Sequence, residues 1–300
     1  MAFNAYQEIT DRILAKLREG NIPWQCPYNL KYGRFAVSRA TGERYSLINQ
    51  FMLNRKGIYF TFKQAQKEGF KVRKGAKAER VYFWKVLTFA NKAAEQGQEQ
   101  EQDQSDIGRK IPYLKHYNVF HQDDIEGFET NALDTAQNND CIKSAEDIIN
   151  NYMARNGAPL FEVDDARIPC YSPSEDTIFC PSKCNFVNIS EYYKTVFHEC
   201  VHSTGAKSRL DRDLSGSRRT AVGRDKYSRE ELVAEMGSAF LSGCAQLQDN
   251  SIDNQAAYIA SWMQQIQNDP RLIVWASAKA EAAVQYILGE SKQENGDDSE

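Results

Sequence analysis

The sequence predicts an α+β fold divided into two domains. Its 300 residues suit two domains of ordinary size, and a hydrophobic content of 41% is ample for packed cores. Apolar residues recur at helical spacing in some segments and alternate as in strands in others. Charge divides the chain as well, because residues 1–90 contain 17 Lys and Arg but only 6 Asp and Glu, a net of +11. Residues 91–300 therefore carry −15, which gives the chain its formal net charge of −4.

The first domain, predicted over residues 1–128, has the pattern of a small α+β unit. Ile9, Ile13 and Leu17 recur at helical spacing, and Gly20 follows where a helix would end. The further expected elements are a helix over 46–54, a strand over 60–62, a helix over 62–68 capped by Thr61, and strands over 81–89 and 113–120.

Three polar segments predict the connections. Residues 95–106 consist of Glu, Gln, Asp, Gly and Ser, which cannot bury apolar surface, so we expect a mobile insertion over about 93–110. The polar stretch 131–140 predicts a linker over residues 129–143. The acidic residues 290–300 predict a disordered tail.

The second domain, predicted over residues 144–289, also mixes helices and strands. Ser144 with Asp147, and Ser228 with Glu231, have the spacing of capping boxes that begin helices. The expected elements are helices over 144–155, 191–203 and 229–247, strands over 160–163, 168–171 and 177–180, and two final helices divided at Asp269-Pro270.

His198, Glu199 and His202 form the most informative pattern in the chain, His-Glu-x-x-His. Two imidazoles four residues apart on a helix project from one face and can bind one Zn²⁺. The chain contains only four histidines, and two of them are here. Glu199 then lies beside the metal, where it can take a proton from water. The alternative is a helix that carries two histidines and an unrelated glutamate.

A zinc ion in a peptidase has three protein ligands and one position open to water, so a third ligand is needed. The helix predicted after Ser228 offers Glu230, Glu231 and Glu235, and the last two share a face one turn apart. We predict Glu231 as the ligand and Glu235 as the residue that orients a ligand histidine, with the reverse assignment left open. The alternative for Glu231 is a capping role on a solvated helix.

Such a site predicts a zinc metallopeptidase. The metal polarises a carbonyl, and Glu199 removes a proton from water and later delivers it to the leaving amine. Tyr171, Tyr193 and Tyr227 are the candidate donors to the oxyanion, and the sequence does not separate them. Tyr227 is carried forward with Glu199 as a candidate catalytic residue.

The basic first half predicts a polyanionic partner. Cations that follow a phosphate backbone, with rings on which unpaired bases stack, are the requirements for binding single-stranded DNA without sequence preference. The candidate contact residues are Trp24, Tyr28, Tyr45, Phe62, Lys63, Lys71, Arg73, Lys74, Lys77 and Arg80. The alternative is that the aromatic residues form the core and the cations only face solvent.

Cysteine usage and hydropathy bear on the compartment. The seven cysteines are odd in number and scattered, residues 1–20 contain no apolar signal core, and no apolar run is long enough to span a bilayer. We therefore expect a cytoplasmic protein with reduced thiols and no membrane partner.

Several ordered segments of the chain match a known family. In the first half they include Tyr6-Gln7-Glu8-Ile9-Thr10, Ile22-Pro23-Trp24, Tyr45 with Ile48-Asn49, Phe62-Lys63-Gln64-Ala65 and Val72-Arg73-Lys74-Gly75. In the second half they include residues 197–205, around the His-Glu-x-x-His motif, and residues 227–235. Together the segments extend over most of residues 5–288 and resemble the ArdC antirestriction family.

The resemblance implies a single-stranded-DNA-binding domain followed by a zincin-like metallopeptidase α+β domain. It implies His198, His202 and one glutamate of the pair Glu231 and Glu235 as zinc ligands, with Glu199 as the base. It also adds Asn49 to the candidate DNA-binding residues. Such proteins are carried on conjugative plasmids and other mobile elements and protect incoming DNA from host restriction enzymes.

Three functional hypotheses follow. The first is an antirestriction protein that coats entering single-stranded DNA and carries a zinc peptidase site. The second is a metalloprotease that DNA recruits to an unknown protein substrate. The third is a DNA-binding protein whose zinc is structural, and Glu199 argues against it because a structural site needs no base.

Overall fold

The computed structural model describes residues 4–24, 35–88, 110–129, 141–216, 221–247 and 255–290. The predicted α+β class is confirmed, with eight named helices and three small sheets among these residues. None of the described helices is long and apolar enough to cross a membrane.

The first half contains two small sheets with helices beside them. The helices are α1 (Ala5–Arg18), α2 (Leu47–Met52) and α3 (Phe62–Lys67). The strands are β1 (Ala36–Ser38), β2 (Gly57–Thr61), β3 (Lys71–Val72), β4 (Glu79–Thr88), β5 (Lys110–His121) and β6 (Ile125–Glu126). One sheet has the order β1-β2-β5-β4, and the other pairs β3 with β6. Thr61 caps α3 as predicted, in a capping box with Gln64.

Strands β4 and β5 form a long antiparallel pair. Their register runs from Glu79 opposite Val119 to Thr88 opposite Lys110. The predicted insertion at about 93–110 joins these strands and, apart from Lys110, lies outside the described residues. Residues 130–140 of the predicted linker and residues 291–300 of the predicted tail also lie outside them.

The second half places a three-stranded sheet against helices. The helices are α4 (Cys141–Met153), α5 (Ile189–Ser203), α6 (Ala221–Cys244), α7 (Gln255–Asn268) and α8 (Leu272–Leu288). The strands are β7 (Leu160–Val163), β8 (Cys170–Ser172) and β9 (Thr177–Cys180). Their order is β7-β9-β8, with β7 parallel and β8 antiparallel to β9.

The predicted start of α6 at Ser228 is wrong. The helix begins at Ala221, so Ser228 and Glu231 lie inside it. A capping side chain satisfies N–H groups that have no partner in the first turn, whereas N–H groups inside a helix are bonded to the preceding turn. Glu231 therefore has no capping role, and its carboxylate is available for contacts outside its own helix.

Apolar residues from both halves share the largest of the three buried clusters among the described residues. A single cluster of buried side chains includes Ile13 and Leu17 of α1, Phe51 of α2, and Ile273 and Val284 of α8. The domain boundaries stay a prediction, but the two halves pack directly on each other.

A carboxylate of the second half caps a helix of the first. The backbone N–H of Leu47, at the start of α2, donates to Glu281 Oε2 at 2.6 Å, and Arg44 Nη1 donates to Glu281 Oε1 at 2.7 Å. Ser46 precedes α2 but makes no capping hydrogen bond with its side chain. Glu281 of α8 thus satisfies an N–H group at the start of α2.

Two buried amide side chains fix the other side of α2. Asn49 accepts from Tyr82 N at 2.7 Å and donates to Tyr82 O at 2.8 Å. Gln50 accepts from Ala36 N at 2.9 Å and donates to Ala36 O at 2.8 Å. Each amide pairs with a strand backbone as a neighbouring strand would, so α2 is bonded to β4 and β1.

His121 predicts a pH dependence of stability. The ring is fully buried, its Nδ1 accepts from Asp123 N at 3.2 Å, and its Nε2 lies 2.7 Å from the carbonyl oxygen of Lys56. Burial lowers the pKa of His121 below its usual value, so the folded chain keeps the ring neutral. The unfolded chain binds a proton below a pH of about 6.5, and stability is therefore lost as the pH falls through that value.

Between pH 7 and pH 5, we expect His121→Gln to lose about 1 kcal/mol less of its free energy of unfolding than the wild type loses. The measurement is urea unfolding in the presence of a chelator, with His116→Gln on the same strand as the matched control. If the free energy of unfolding of His121→Gln depends on pH as it does in the wild type, His121 is not the source of the pH dependence.

Candidate metal centre and nucleic-acid surface

Helices α5 and α6 cross at very short distance. A Cβ atom added at Gly237 of α6 would lie 2.7 Å from Cγ2 of Val201 on α5, closer than real Cβ atoms approach. Glycine therefore allows a contact that any side chain would prevent. Glu230 and Glu231 precede Gly237 by about two turns of α6 and are carried towards the histidine pair of α5.

His198, His202 and Glu231 meet at this crossing. The two Nε2 atoms are 3.0 Å apart. Glu231 Oε2 lies 3.6 Å from His198 Nε2, and Glu231 Oε1 lies 3.4 Å from His202 Nε2. Among the described residues, these three form a group whose ligand atoms all lie within 4.8 Å of one another.

These separations fit a divalent cation. Two ligand atoms about 2.0–2.1 Å from a tetrahedral ion lie about 3.4 Å from each other. Two imidazole nitrogens and a carboxylate directed at one point are also a donor set that a cation completes. The geometry thus makes His198, His202 and Glu231 the candidate ligands of a divalent cation, and Glu235 is not part of that group.

The electrostatics of the group differ from those of isolated side chains. Burial acts to lower the pKa of His202, but Glu230 and Glu231 outweigh it and raise that pKa to about 10. Burial acts to raise the pKa of Glu231, but contacts with His198 and His202 outweigh it and lower that pKa. In the metal-free site a proton thus offsets the carboxylate charge, and a metal ion must displace it.

A second glutamate contacts the other face of His202. Glu230 Oε1 lies 3.3 Å from His202 Nδ1, and Arg212 donates to both oxygens of this carboxylate, at 2.7 and 3.0 Å. Glu235 is the residue predicted to orient a ligand histidine, and no role is predicted for Glu230 or Arg212. The adjacency of Glu230 to Glu231 is a weak signal for this contact, and no motif in the sequence marks Arg212.

Glu199 lies between the two histidines and is buried. Its Oε2 accepts a hydrogen bond from the backbone N–H of Tyr171 on β8 at 2.8 Å. Strand β8 is an edge of its sheet and packs against α5. The hydrogen bond therefore fixes the orientation of the Glu199 carboxylate against β8.

The three candidate tyrosines have different surroundings. The Tyr171 hydroxyl donates to Asp176 at 2.7 Å and accepts from Arg209 at 3.0 Å. The Tyr193 hydroxyl donates to Glu146 at 2.7 Å and accepts from Lys183 at 2.9 Å. Both hydroxyls are thus used in bonds away from the ligands, whereas Tyr227 lies one helical turn before Glu231 on α6.

Three predicted DNA-binding residues are buried. Trp24 is 2% exposed, Tyr45 4% and Asn49 0%. Trp24 and Tyr45 belong to apolar clusters, and Asn49 pairs with the backbone of β4, so none of them offers a surface to a base. The prediction of DNA contacts for these three is corrected, since their side chains stabilise the fold. Tyr28 lies outside the described residues.

The remaining candidates lie at the surface. Phe62, the first residue of α3, is 58% exposed. Exposed cations follow it on α3, on β3 and in the turn before β4, namely Lys63, Lys71, Arg73, Lys74 and Lys77. Within the described part of the chain, none of these five side chains forms an ion pair. Arg80 instead pairs with Glu8 at 2.5 Å.

Comparison with known proteins covers both halves. Residues 3–120 match the family described as the N-terminal domain of anti-restriction factor ArdC, and residues 147–279 match a zincin-like metallopeptidase family. The antirestriction protein ArdC of plasmid R388 has a metal-free and a Mn(II)-bound crystal structure, with TM-scores of 0.71 and 0.70 to this chain. Those structures are 30% and 31% identical to it, covering 96% of this chain and 98% of theirs.

Curated relatives differ in length. A DNA primase TraC of Escherichia coli is 31% identical over 96% of this chain, which spans only 27% of that primase. A second Escherichia coli TraC is 29% identical, and the chain spans 20% of it. The protein y4eC of Sinorhizobium fredii (strain NBRC 101917 / NGR234) is 27% identical, over 94% of this chain and 91% of its own.

The geometry predicts unequal effects of the two α6 glutamates on metal binding. Losing a group that only hydrogen-bonds to a metal ligand weakens binding by up to about 100-fold. Glu231 is proposed as a ligand itself, so we expect Glu231→Gln to weaken Mn²⁺ binding by more than about 100-fold. Glu235→Gln is the matched control and should have a smaller effect, because Glu235 is not part of the ligand group. Titration followed by the electron paramagnetic resonance of free Mn²⁺ measures both, and a larger loss in Glu235→Gln would reverse the assignment.

Proposed function

Because the chain belongs to the ArdC family of antirestriction proteins, we propose that it binds single-stranded DNA and carries a zinc-dependent peptidase site. In this proposal the basic first half coats DNA that enters the cell and protects it from host restriction. The observation that carries the proposal is the coexistence of exposed cations and a candidate metal-ligand group in one packed chain.

The DNA-binding part is supported by the cations around α3 and β3. Lys63, Lys71, Arg73, Lys74 and Lys77 are exposed and have no ion-pair partner among the described residues, so binding phosphate does not require an existing pair to break. Phe62 lies beside them with an exposed ring on which a base can stack. The proposed surface, which we call the basic surface, consists of these six residues.

The basic surface predicts the salt dependence of DNA affinity. Each phosphate contact contributes about 0.7 to the slope of log affinity against log salt for single strands. We therefore expect the double variant Lys71→Gln/Lys74→Gln to lower that slope by roughly 1.4. Fluorescence anisotropy of a labelled oligonucleotide across a salt series measures it.

The matched control is Lys207→Gln/Lys279→Gln, which removes two exposed lysines from the acidic second half. It should leave the slope unchanged. Equal effects of the two double variants would show that net charge, rather than the basic surface, determines binding.

The peptidase part is supported by Glu199 and the ligand group. The ion proposed here is Zn²⁺, the usual ion of two histidines and a glutamate in peptidases, and it would supply a Lewis acid for a carbonyl and for water. In this proposal Glu199 would accept a proton from water and return it to the leaving amine. Tyr227, one turn from Glu231, is the proposed donor to the carbonyl oxygen.

A second candidate function is a protease that DNA recruits to a protein substrate. The burial of Glu199 and its hydrogen bond from Tyr171 N favour it over a purely structural metal, since a structural site gains nothing from an oriented base. The two candidates differ in whether hydrolysis is needed for protection.

We expect Glu199→Gln to retain the fold, Mn²⁺ binding and single-strand affinity but to lose any hydrolysis of an unfolded protein substrate. Retained turnover would exclude Glu199 as the base. The same variant, tested during DNA transfer into a restricting recipient, should still protect if coating is sufficient. Loss of protection with intact DNA binding would favour the protease.

A further inference from the structure

We propose that Arg212 is a positioning residue of the metal centre: it fixes Glu230 against Nδ1 of His202 and so determines how tightly the three ligands bind a divalent cation. Arg212 lies between α5 and α6, and its side chain is only 3% exposed. The proposal rests on the metal site and not on peptide hydrolysis or DNA binding.

The Glu230 carboxylate lies between Arg212 and His202. Its Oε1 is 2.7 Å from Arg212 Nη2 and 3.3 Å from His202 Nδ1, and its Oε2 is 3.0 Å from Arg212 Nε. The guanidinium thus binds the carboxylate through two N–H groups, the arrangement that best fixes its orientation. A carboxylate at Nδ1 keeps the proton on that nitrogen and leaves Nε2 for the metal.

Arg212 is itself attached to the turn of α5 that carries His202. Its Nη2 donates to the carbonyl oxygen of Val201 at 2.7 Å, and its Nη1 donates to Thr204 Oγ1 at 2.7 Å. Val201 and Thr204 lie on either side of His202 in the sequence. One side chain therefore links Glu230 of α6 to the same turn of α5 as the ligand, so the two move together.

The backbone around Arg212 is closely packed. Arg212 N donates to the carbonyl oxygen of Gly205 at 2.9 Å. A Cβ atom added at Gly205 would lie 3.1 Å from Arg212 Nη2 and 2.8 Å from Leu214 Cδ2. The packing leaves little room for another position of the guanidinium, so the loop itself holds Arg212 where it bonds to Glu230.

Charge gives a second reason for the arginine. Glu230 is buried next to Glu231, and an unpaired buried carboxylate is costly. Arg212 offsets the charge of Glu230, which leaves Glu231 as the carboxylate that faces the two Nε2 atoms. Without Arg212 the Glu230 carboxylate is unpaired and is expected to turn towards solvent. His202 Nδ1 then loses the partner that orients its ring.

Arg209 provides a matched control in the same loop. Its side chain is 1% exposed, and it donates to the carboxylate of Asp176 and to the carbonyl oxygen of Ser203. Its carboxylate partner contacts Tyr171 rather than a ligand histidine. Removing Arg209 therefore removes an equally buried guanidinium without touching Glu230.

The test is the Mn²⁺ affinity of the full chain, measured by the paramagnetic resonance of free Mn²⁺. We expect Arg212→Met to weaken binding by about 10- to 100-fold, the usual effect of losing such a partner of a metal ligand. Arg212→Lys keeps the charge but not the two-point contact and should show a smaller loss. Arg209→Met should stay near the wild-type affinity.

The pathway through Glu230 is tested by a double-variant cycle. Glu230→Gln should also weaken Mn²⁺ binding, and adding Arg212→Met to it should cause no further loss. Wild-type affinity in folded Arg212→Met, an equal loss in Arg209→Met, or full additivity with Glu230→Gln would each overturn the proposal. If Arg212→Met does not fold, Arg212→Lys decides, and wild-type affinity in that variant overturns it.

Discussion

The close crossing of α5 and α6 is the contact on which the metal centre depends. Gly237 has no side chain, and Val201 fills the space that one would occupy. Glycine inside a helix is less stable than alanine by about 1 kcal/mol. Gly237 therefore lowers the stability of α6 but allows α5 and α6 to approach closely. The gain is that a carboxylate from one helix reaches two imidazoles from the other.

Around that crossing, the two adjacent glutamates of α6 have different charged partners. Glu231 faces the histidine nitrogens, while Glu230 turns towards Arg212 and the other side of His202. The loop after α5 supplies both buried arginines, and each holds a carboxylate near one functional group. Arg212 acts beside His202, and Arg209 acts beside Tyr171, whose backbone N–H contacts Glu199. Of the two arginines, only Arg212 has a carboxylate partner that contacts a ligand histidine, although its segment carries no ligand.

How much the sequence could predict depended on how local each signal is. His198, Glu199 and His202 form a pattern within five residues of one helix, and Glu231 is predicted from a pattern on the next long helix. Arg212 was missed because its partners are distant in sequence, and no periodicity marks it. The capping box at Ser228 failed because an upstream helix extends through it. Trp24 and Tyr45 were misassigned because aromatic content does not tell which ring faces the core. The family was predicted from ordered segments, and the comparisons confirm it.

The continuous core has a practical consequence for dissecting the protein. Cutting the chain between the halves would separate α1 and α2 from α7 and α8, on which they pack, and would remove the Glu281 cap from α2. Newly exposed apolar surface of this kind promotes aggregation, so an insoluble fragment would say nothing about which half binds DNA. Genetic complementation between separately expressed halves faces the same obstacle. The two activities have to be separated within the intact chain, and a recombination event that exchanged one half would have to supply a matching α2 and α8 surface.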